Sequence, residues 1–149
     1  MLEERIEQDI KAALLARDSF KATTLRGLKA TLLNVKVATG KRESGLSDDE
    51  VIDVLAKEAK KRQESADLYK QGGNEQKAAD ELKEKAYIEE YLPEQLSEDE
   101  ITKLIDEVIA ATGASGPQQM GQVIGQVKSK AGAAADGALI ARLVKEKLQ

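Results

Sequence analysis

YLPEQLSEDE, Tyr91 to Glu100, is the stretch that divides this chain. Pro93 pushes Leu92 away from helical backbone geometry and so closes whatever helix precedes it. Beyond it, Ser97-x-x-Glu100 has the spacing of a capping box, in which a serine hydroxyl and a glutamate carboxylate each satisfy a free backbone N–H at a helix start. One helical unit ends here and another begins. The stretch predicts an N-terminal helical domain over 1–93, a linker at 94–96 and a smaller C-terminal domain over 97–149.

On the C-terminal side the pattern is clean. Ile101, Leu104, Ile105, Val108 and Ile109 follow the i, i+3, i+4, i+7, i+8 template of an amphipathic helix, and Gly113 stops it. Ser115-Gly116-Pro117 begins a second helix, with the proline at the first helical position, where its missing N–H costs nothing. Met120, Val123, Ile124 and Val127 form its apolar side and Gly132 breaks it. Asp136 is placed to cap a third helix with Ile140, Leu143, Val144 and Leu148 inward. Three apolar stripes predict a three-helix bundle.

On the N-terminal side, Ile6, Ile10, Ala13 and Leu14 predict a helix from near Leu2 to about Arg17. Asp18 or Ser19 caps the next, which carries Leu25, Leu28, Leu32 and Val35 on one face, Leu33 and Val37 on another, and ends at Gly40. Being apolar over more of its circumference, it is expected at the centre of the larger unit. Ser47-Asp48-Asp49-Glu50 is a second capping box with acids in the first turn, where the helix dipole favours them. The helix it starts runs to about Gln71 with one narrow buried side, Val51, Leu55, Ala59, Ala66 and Tyr69. Gly72-Gly73-Asn74 ends it and caps a fourth helix, with Ala78, Ala79, Leu82 and Ala86 expected inward.

Composition agrees with an all-α fold. Ala, Leu, Lys, Glu and Gln dominate, only four residues are aromatic, and no alternating run marks a strand. The absent residues narrow the chemistry. With neither cysteine nor histidine there is no thiol nucleophile, no Ser-His-Asp triad, and no zinc set built from those ligands. No Gly-rich phosphate loop occurs, so no cofactor and no metal is expected. No apolar run reaches the ~20 residues that cross a bilayer. The acid-rich start MLEERIEQDIK is unlike a signal or transit segment, so the expected location is cytoplasmic, without a membrane partner.

Net charge is −4, but the charges are segregated. Ser19 to Arg42 holds Lys21, Arg26, Lys29, Lys36, Lys41 and Arg42 with no acid, and the chain from Ala114 onward holds Lys128, Lys130, Arg142, Lys145 and Lys147 against Asp136 and Glu146. The helix Ser97 to Thr112 between them holds five acids and one lysine. Basic clusters on an acidic chain are one footprint of phosphate binding, although charge runs on helices are more often solvated faces. Gly121 and Gly125 share one helix side, where each costs roughly 1 kcal/mol relative to alanine. Close packing of another helix or close approach of a nucleic-acid backbone would offset that cost. With few aromatics and no strands, base stacking on a sheet is disfavoured, so any RNA contact would rely on backbone and shape.

Taken in order, YLPEQLSEDE, ATGAS (111–115), MGQVIGQVKSK (120–130), ADG (135–137) and LVKEKL (143–148) resemble the YqeY family, small bacterial proteins that share a domain with the tail of the GatB subunit of tRNA-dependent amidotransferase. LRGLKATLLN (25–34), LSDDEV (46–51) and KKRQES (60–65) resemble that family's N-terminal part. The resemblance implies an all-helical protein and a tRNA-related, non-catalytic binding role. It makes Gly121, Gly125, Lys128, Lys130, Gly137, Arg142 and Lys145 the candidate RNA face. One position departs from it: where the family commonly has a glycine and a basic residue before Ala-Asp-Gly, this chain has Ala133 and Ala134. The family's amidotransferase label, a carbon-nitrogen ligase with glutamine as amido-N-donor, comes with the shared domain. No Ser-Lys amidase constellation accompanies it, and a shared domain does not transfer the reaction. The alternative is a helical adaptor that docks a protein partner through the acidic helix and the basic tail.

Overall fold

The structure, a computed structural model, describes residues 1–149 and is all-α. Its helices are α1 (Leu2–Leu15), α2 (Ser19–Ala38), α3 (Asp48–Gln71), α4 (Glu75–Glu89), α5 (Glu98–Thr112), α6 (Met120–Ala131) and α7 (Gly137–Leu148), with 3-10 turns at Pro117–Gln119 and Gly132–Ala134. The chain divides into two compact units, Met1–Leu92 and Pro93–Gln149. No helix is long and apolar enough to cross a membrane.

In the first unit Ile6 and Ile10 of α1, Leu25, Leu28 and Leu32 of α2, Val51, Leu55 and Ala59 of α3, and Ile88 and Tyr91 at the end of α4 bury one another. Asp18 caps α2 by accepting the Lys21 N–H at 3.1 Å, and Ser47 caps α3 by accepting that of Glu50 at 3.2 Å. Three expectations fail here. On α1, Leu14 of the expected stripe is 47% exposed, because it lies at the edge of the face that Ile6, Ile10 and Ala13 bury. The second apolar face of α2 is not buried: Leu33 is 44% exposed and Val37 59%, because α1, α3 and α4 all pack on the side of Leu25, Leu28 and Leu32. On α4, Ala79 and Ala86 are exposed, while Ala78 and Ile88 are buried. Ala78 is inward as expected and Leu82 is half-buried, but alanine is small enough to sit on either side of a helix, and Ala79 and Ala86 point away from the true face, which Ile88 and the half-buried Glu81, Glu84 and Lys85 mark.

That α3–α4 contact is polar as well as apolar. Arg62 Nε lies 2.9 Å from Glu84 and 3.8 Å from Glu81, and its terminal nitrogen lies 3.7 Å from the buried Glu58. Burial raises the Glu84 carboxyl above its ordinary range; Arg62 opposes the shift, and Glu81 and Asp80 add to it. At the unit's end the buried Tyr91 donates its phenol O–H to Asp9, and the Arg5 guanidinium lies 4.8 Å from the centre of its ring. Burial first, then Asp9, pushes the phenol far above its usual value. The tyrosine of YLPEQLSEDE therefore belongs to the first core.

In the second unit Ile101, Ile105 and Val108 of α5, Val123 and Val127 of α6, and Ile140, Leu143, Val144 and Leu148 of α7 form the core. The capping box is complete: Ser97 N–H donates to Glu100 Oε2 at 3.0 Å, and Glu100 N–H to Ser97 Oγ at 3.2 Å. Gly113 ends α5 at φ 69°, and Gly132 ends α6 at φ 57°, ψ −138°, both in regions that favour glycine. Pro117 opens a 3-10 turn that leads into α6 rather than the α-helix itself. Residues 95 and 96 strap the turn after α6, since Leu96 N–H donates to Ala134 O at 2.8 Å and Gln95 Nε2 to Ala133 O at 3.0 Å.

Candidate nucleic-acid interface

Once ion pairs are assigned, the two basic clusters differ. In the first unit, Lys29 meets Glu7 at 2.9 Å, Lys36 meets Glu3 at 2.7 Å, Lys41 meets Glu50 at 2.7 Å and Lys21 meets Glu90 at 3.9 Å. The Lys29 hydrogen bond and charge hold the Glu7 carboxyl below its usual range, and a hydrogen bond from Lys41 does the same for Glu50. Only Arg26 and Arg42 of that segment's six cations lack a carboxylate within 4.0 Å. The α1 acids Glu3 and Glu7 are one helical turn apart and face the seven-residue interval from Lys29 to Lys36 on the antiparallel α2. That spacing was the sequence signal for the neutralisation, and the charge count alone missed it.

The C-terminal cluster keeps more of its charge free than the Ser19–Arg42 cluster. Arg142 is engaged by Glu98 at 2.7 Å and Glu146 at 3.2 Å, and Lys147 by Asp106 at 2.9 Å, so the basic tail and the acidic α5 answer each other within the unit. Lys128, Lys130 and Lys145 have no carboxylate within 4.0 Å and are exposed, as is Lys103 on α5. Lys128 and Lys130 stand in the last turn of α6, where the helix dipole favours cations.

The fold brings Lys128 and Gly137 together. A Cβ on Gly137 would sit 3.0 Å from Lys128 Cε and 3.2 Å from its Nζ, so the lysine stem lies over the first residue of α7. Asp136 caps that helix through Ala138 N–H at 3.3 Å. Nothing in the sequence signalled this contact, which depends on the turn at Gly132. Gly121 and Gly125 are both exposed, and a Cβ on either would meet nothing within 4 Å. The helix packing offered as one reason for these glycines is therefore absent from the chain's own fold. Lys145 lies eight residues beyond Gly137, about 12 Å along α7 at 1.5 Å per residue. Lys128 and Gly137 thus meet at one end of the unit, Lys130 leaves the same helix end on the other side, Gly121 and Gly125 form a bare side of α6, Lys145 is separate, and Arg142 is occupied.

Comparison with known proteins places the chain. Residues 3–148 match the model of the family described as Yqey-like protein. Among curated relatives, the protein named "Altered inheritance of mitochondria protein 41, mitochondrial" of Eremothecium gossypii is 32% identical over 87 residues, 58% of this chain and 46% of that protein. The protein of the same name from Kluyveromyces lactis is 28% identical over 129 residues, 84% of this chain and 68% of that protein. The first match spans about half of its relative's length. With nearly the whole sequence covered by one family model, this chain belongs to the YqeY-like protein family.

Proposed function

We propose that this protein is a non-catalytic, tRNA-related binding protein and that the C-terminal unit carries the RNA-binding face. The observation that carries this reading is the set of C-terminal cations left over after ion pairing: Lys128 and Lys130 are free of carboxylates in the last turn of α6, and Lys128, three residues from Gly125 and seven from Gly121, shares the side of that helix on which their backbone lies open. Cations beside exposed helix backbone suit a phosphate chain read by shape. Arg142 contributes only by exchanging Glu98 and Glu146 for phosphate. A cytoplasmic location belongs to the same proposal and is checked by cell fractionation, with recovery in an organelle fraction counting against it.

The test is tRNA binding measured against salt. Each phosphate contact on a duplex contributes about −0.9 to the slope of log affinity on log salt, so Lys128→Ala or Lys130→Ala is expected to lower the slope by about one contact. Lys29→Ala, which loses a lysine already paired with Glu7, is expected to leave it unchanged. No saturable binding at low salt, or equal loss from all three variants, would refute the assignment.

A further inference from the structure

The outward side of a surface helix is normally charged, and α3 obeys this rule with Lys57, Lys60, Glu64 and Asp67 exposed. The side of α2 opposite Leu25, Leu28 and Leu32 does not. It presents Gly27, Ala30, Leu33, Asn34 and Val37, all exposed, with Arg26 as its one charge. A Cβ on Gly27 would meet nothing within 4 Å, so no element of the first unit covers this side.

We propose that this face of α2 docks a second copy of the chain, with the two α2 helices antiparallel and crossing at Ala30. In a two-fold contact the same patch serves both partners. Centred on Ala30, it sets Gly27 level with Leu33 of the second copy, Arg26 with Asn34 and Thr23 with Val37. The largest side chain thus falls, twice, in the layer of the barest backbone, and alanines at the crossing let the axes approach to about 8 Å. Charge agrees with this register. Arg26 meets an amide whose oxygen accepts its N–H, and the two Arg26 residues stand about 12 Å apart along the axis, beyond the Debye length of about 8 Å at physiological salt. A parallel pairing would set Arg26 against Arg26. Thr23 to Val37 spans about 21 Å, a strip smaller than the roughly 800 Å² per partner of a standard interface, so the dimer is of the weak, reversible class.

The chain has no cysteine, so one introduced thiol reports one position. Under mild oxidation Ala30→Cys in the full chain is expected to form a disulfide-linked dimer, since Cα atoms at the crossing fall within the ~7 Å a disulfide spans. Lys57→Cys, on the outer side of α3, is not. In sedimentation equilibrium Ala30→Glu is expected to weaken dimerisation at least tenfold while leaving the melting temperature unchanged, because residue 30 is exposed and glutamate is a good helix former. Dimerisation that Ala30→Glu leaves intact, or crosslinking of Lys57→Cys equal to that of Ala30→Cys, would overturn the proposal. So would a wild-type chain that stays monomeric up to about 1 mM; the face would then belong to a different partner.

Discussion

Replacing Gly121 and Gly125 together by alanine separates what these residues cost the fold from what they offer a ligand. Both stand inside α6, both are exposed, and a Cβ on either meets nothing within 4 Å. Alanine therefore adds helix propensity without a clash, worth about 0.8–1 kcal/mol at Gly125 in the helix interior and less at Gly121 in the first turn, or roughly 1–1.5 kcal/mol for the pair. For a unit of about 60 residues each kcal/mol moves the melting temperature by about 4–8 °C, so the C-terminal transition should rise by about 4–12 °C, read from far-ultraviolet circular dichroism. If RNA approaches the bare backbone, the same variant binds tRNA at least tenfold more weakly, yet its salt slope is unchanged because no charge has been removed. Stability would rise while function fell, as expected when a local rule is broken at a binding surface. A double alanine variant that melts higher and binds tRNA like the wild type would refute the claim that the glycines face RNA. One that melts lower would refute the open surroundings on which the magnitude rests.

Three further outcomes follow from the first unit. Arg17 ends α1 in the left-handed region at φ 58°, with Asp18 N–H donating to Ala13 O at 2.9 Å and Arg17 N–H to Leu14 O at 3.2 Å, a role glycine fills at Gly40 and Gly73. Arg17→Gly should raise urea stability by about 0.5–1 kcal/mol and Arg17→Ala hardly at all, since only glycine relieves the Cβ clash; equal effects would sink the argument. Tyr91→Phe keeps the buried ring but removes the donor to Asp9, and should cost about 1–2 kcal/mol, toward the lower end for bonds to charged groups because Asp9 is partly exposed; an unchanged urea midpoint would contradict it. Glu84 holds its proton more tightly folded than unfolded, so its contribution is fully present below its ordinary pKa and is lost as pH rises through the raised value. Glu84→Gln should therefore gain most on the wild type near neutral pH and least near pH 4, where a gain that grew on acidification would reverse the sign.

The legible parts of this protein are those in which large aliphatic side chains recur at helical spacing. Ile101, Ile105 and Val108 were placed inward by periodicity alone and are buried, and the Ser97–Glu100 box closes as its spacing requires. Each of these signals is local, confined to one or two helical turns, and no tertiary contact is needed to interpret it. Alanine was an uneven signal: Ala13, Ala59, Ala66 and Ala78 are buried as expected but Ala79 and Ala86 are not, because burying a methyl group contributes too little free energy to fix which side of a helix turns inward.

The candidate site was legible in residue type but not in charge state. The richest basic segment, Ser19 to Arg42, is largely answered by carboxylates from α1, α3 and the end of α4, whereas in the poorer C-terminal cluster Arg142 and Lys147 are answered and Lys128, Lys130 and Lys145 are not. A count along the chain ranks these clusters in the wrong order. An electrostatic footprint depends on charges left over after tertiary pairing, and pairing is a property of antiparallel neighbours tens of residues apart. The same reasoning changes the meaning of α2. With four of its region's six cations satisfied, what distinguishes that helix is no longer positive charge but an outward face with almost no charge, which suits a helix of another molecule better than a phosphate backbone.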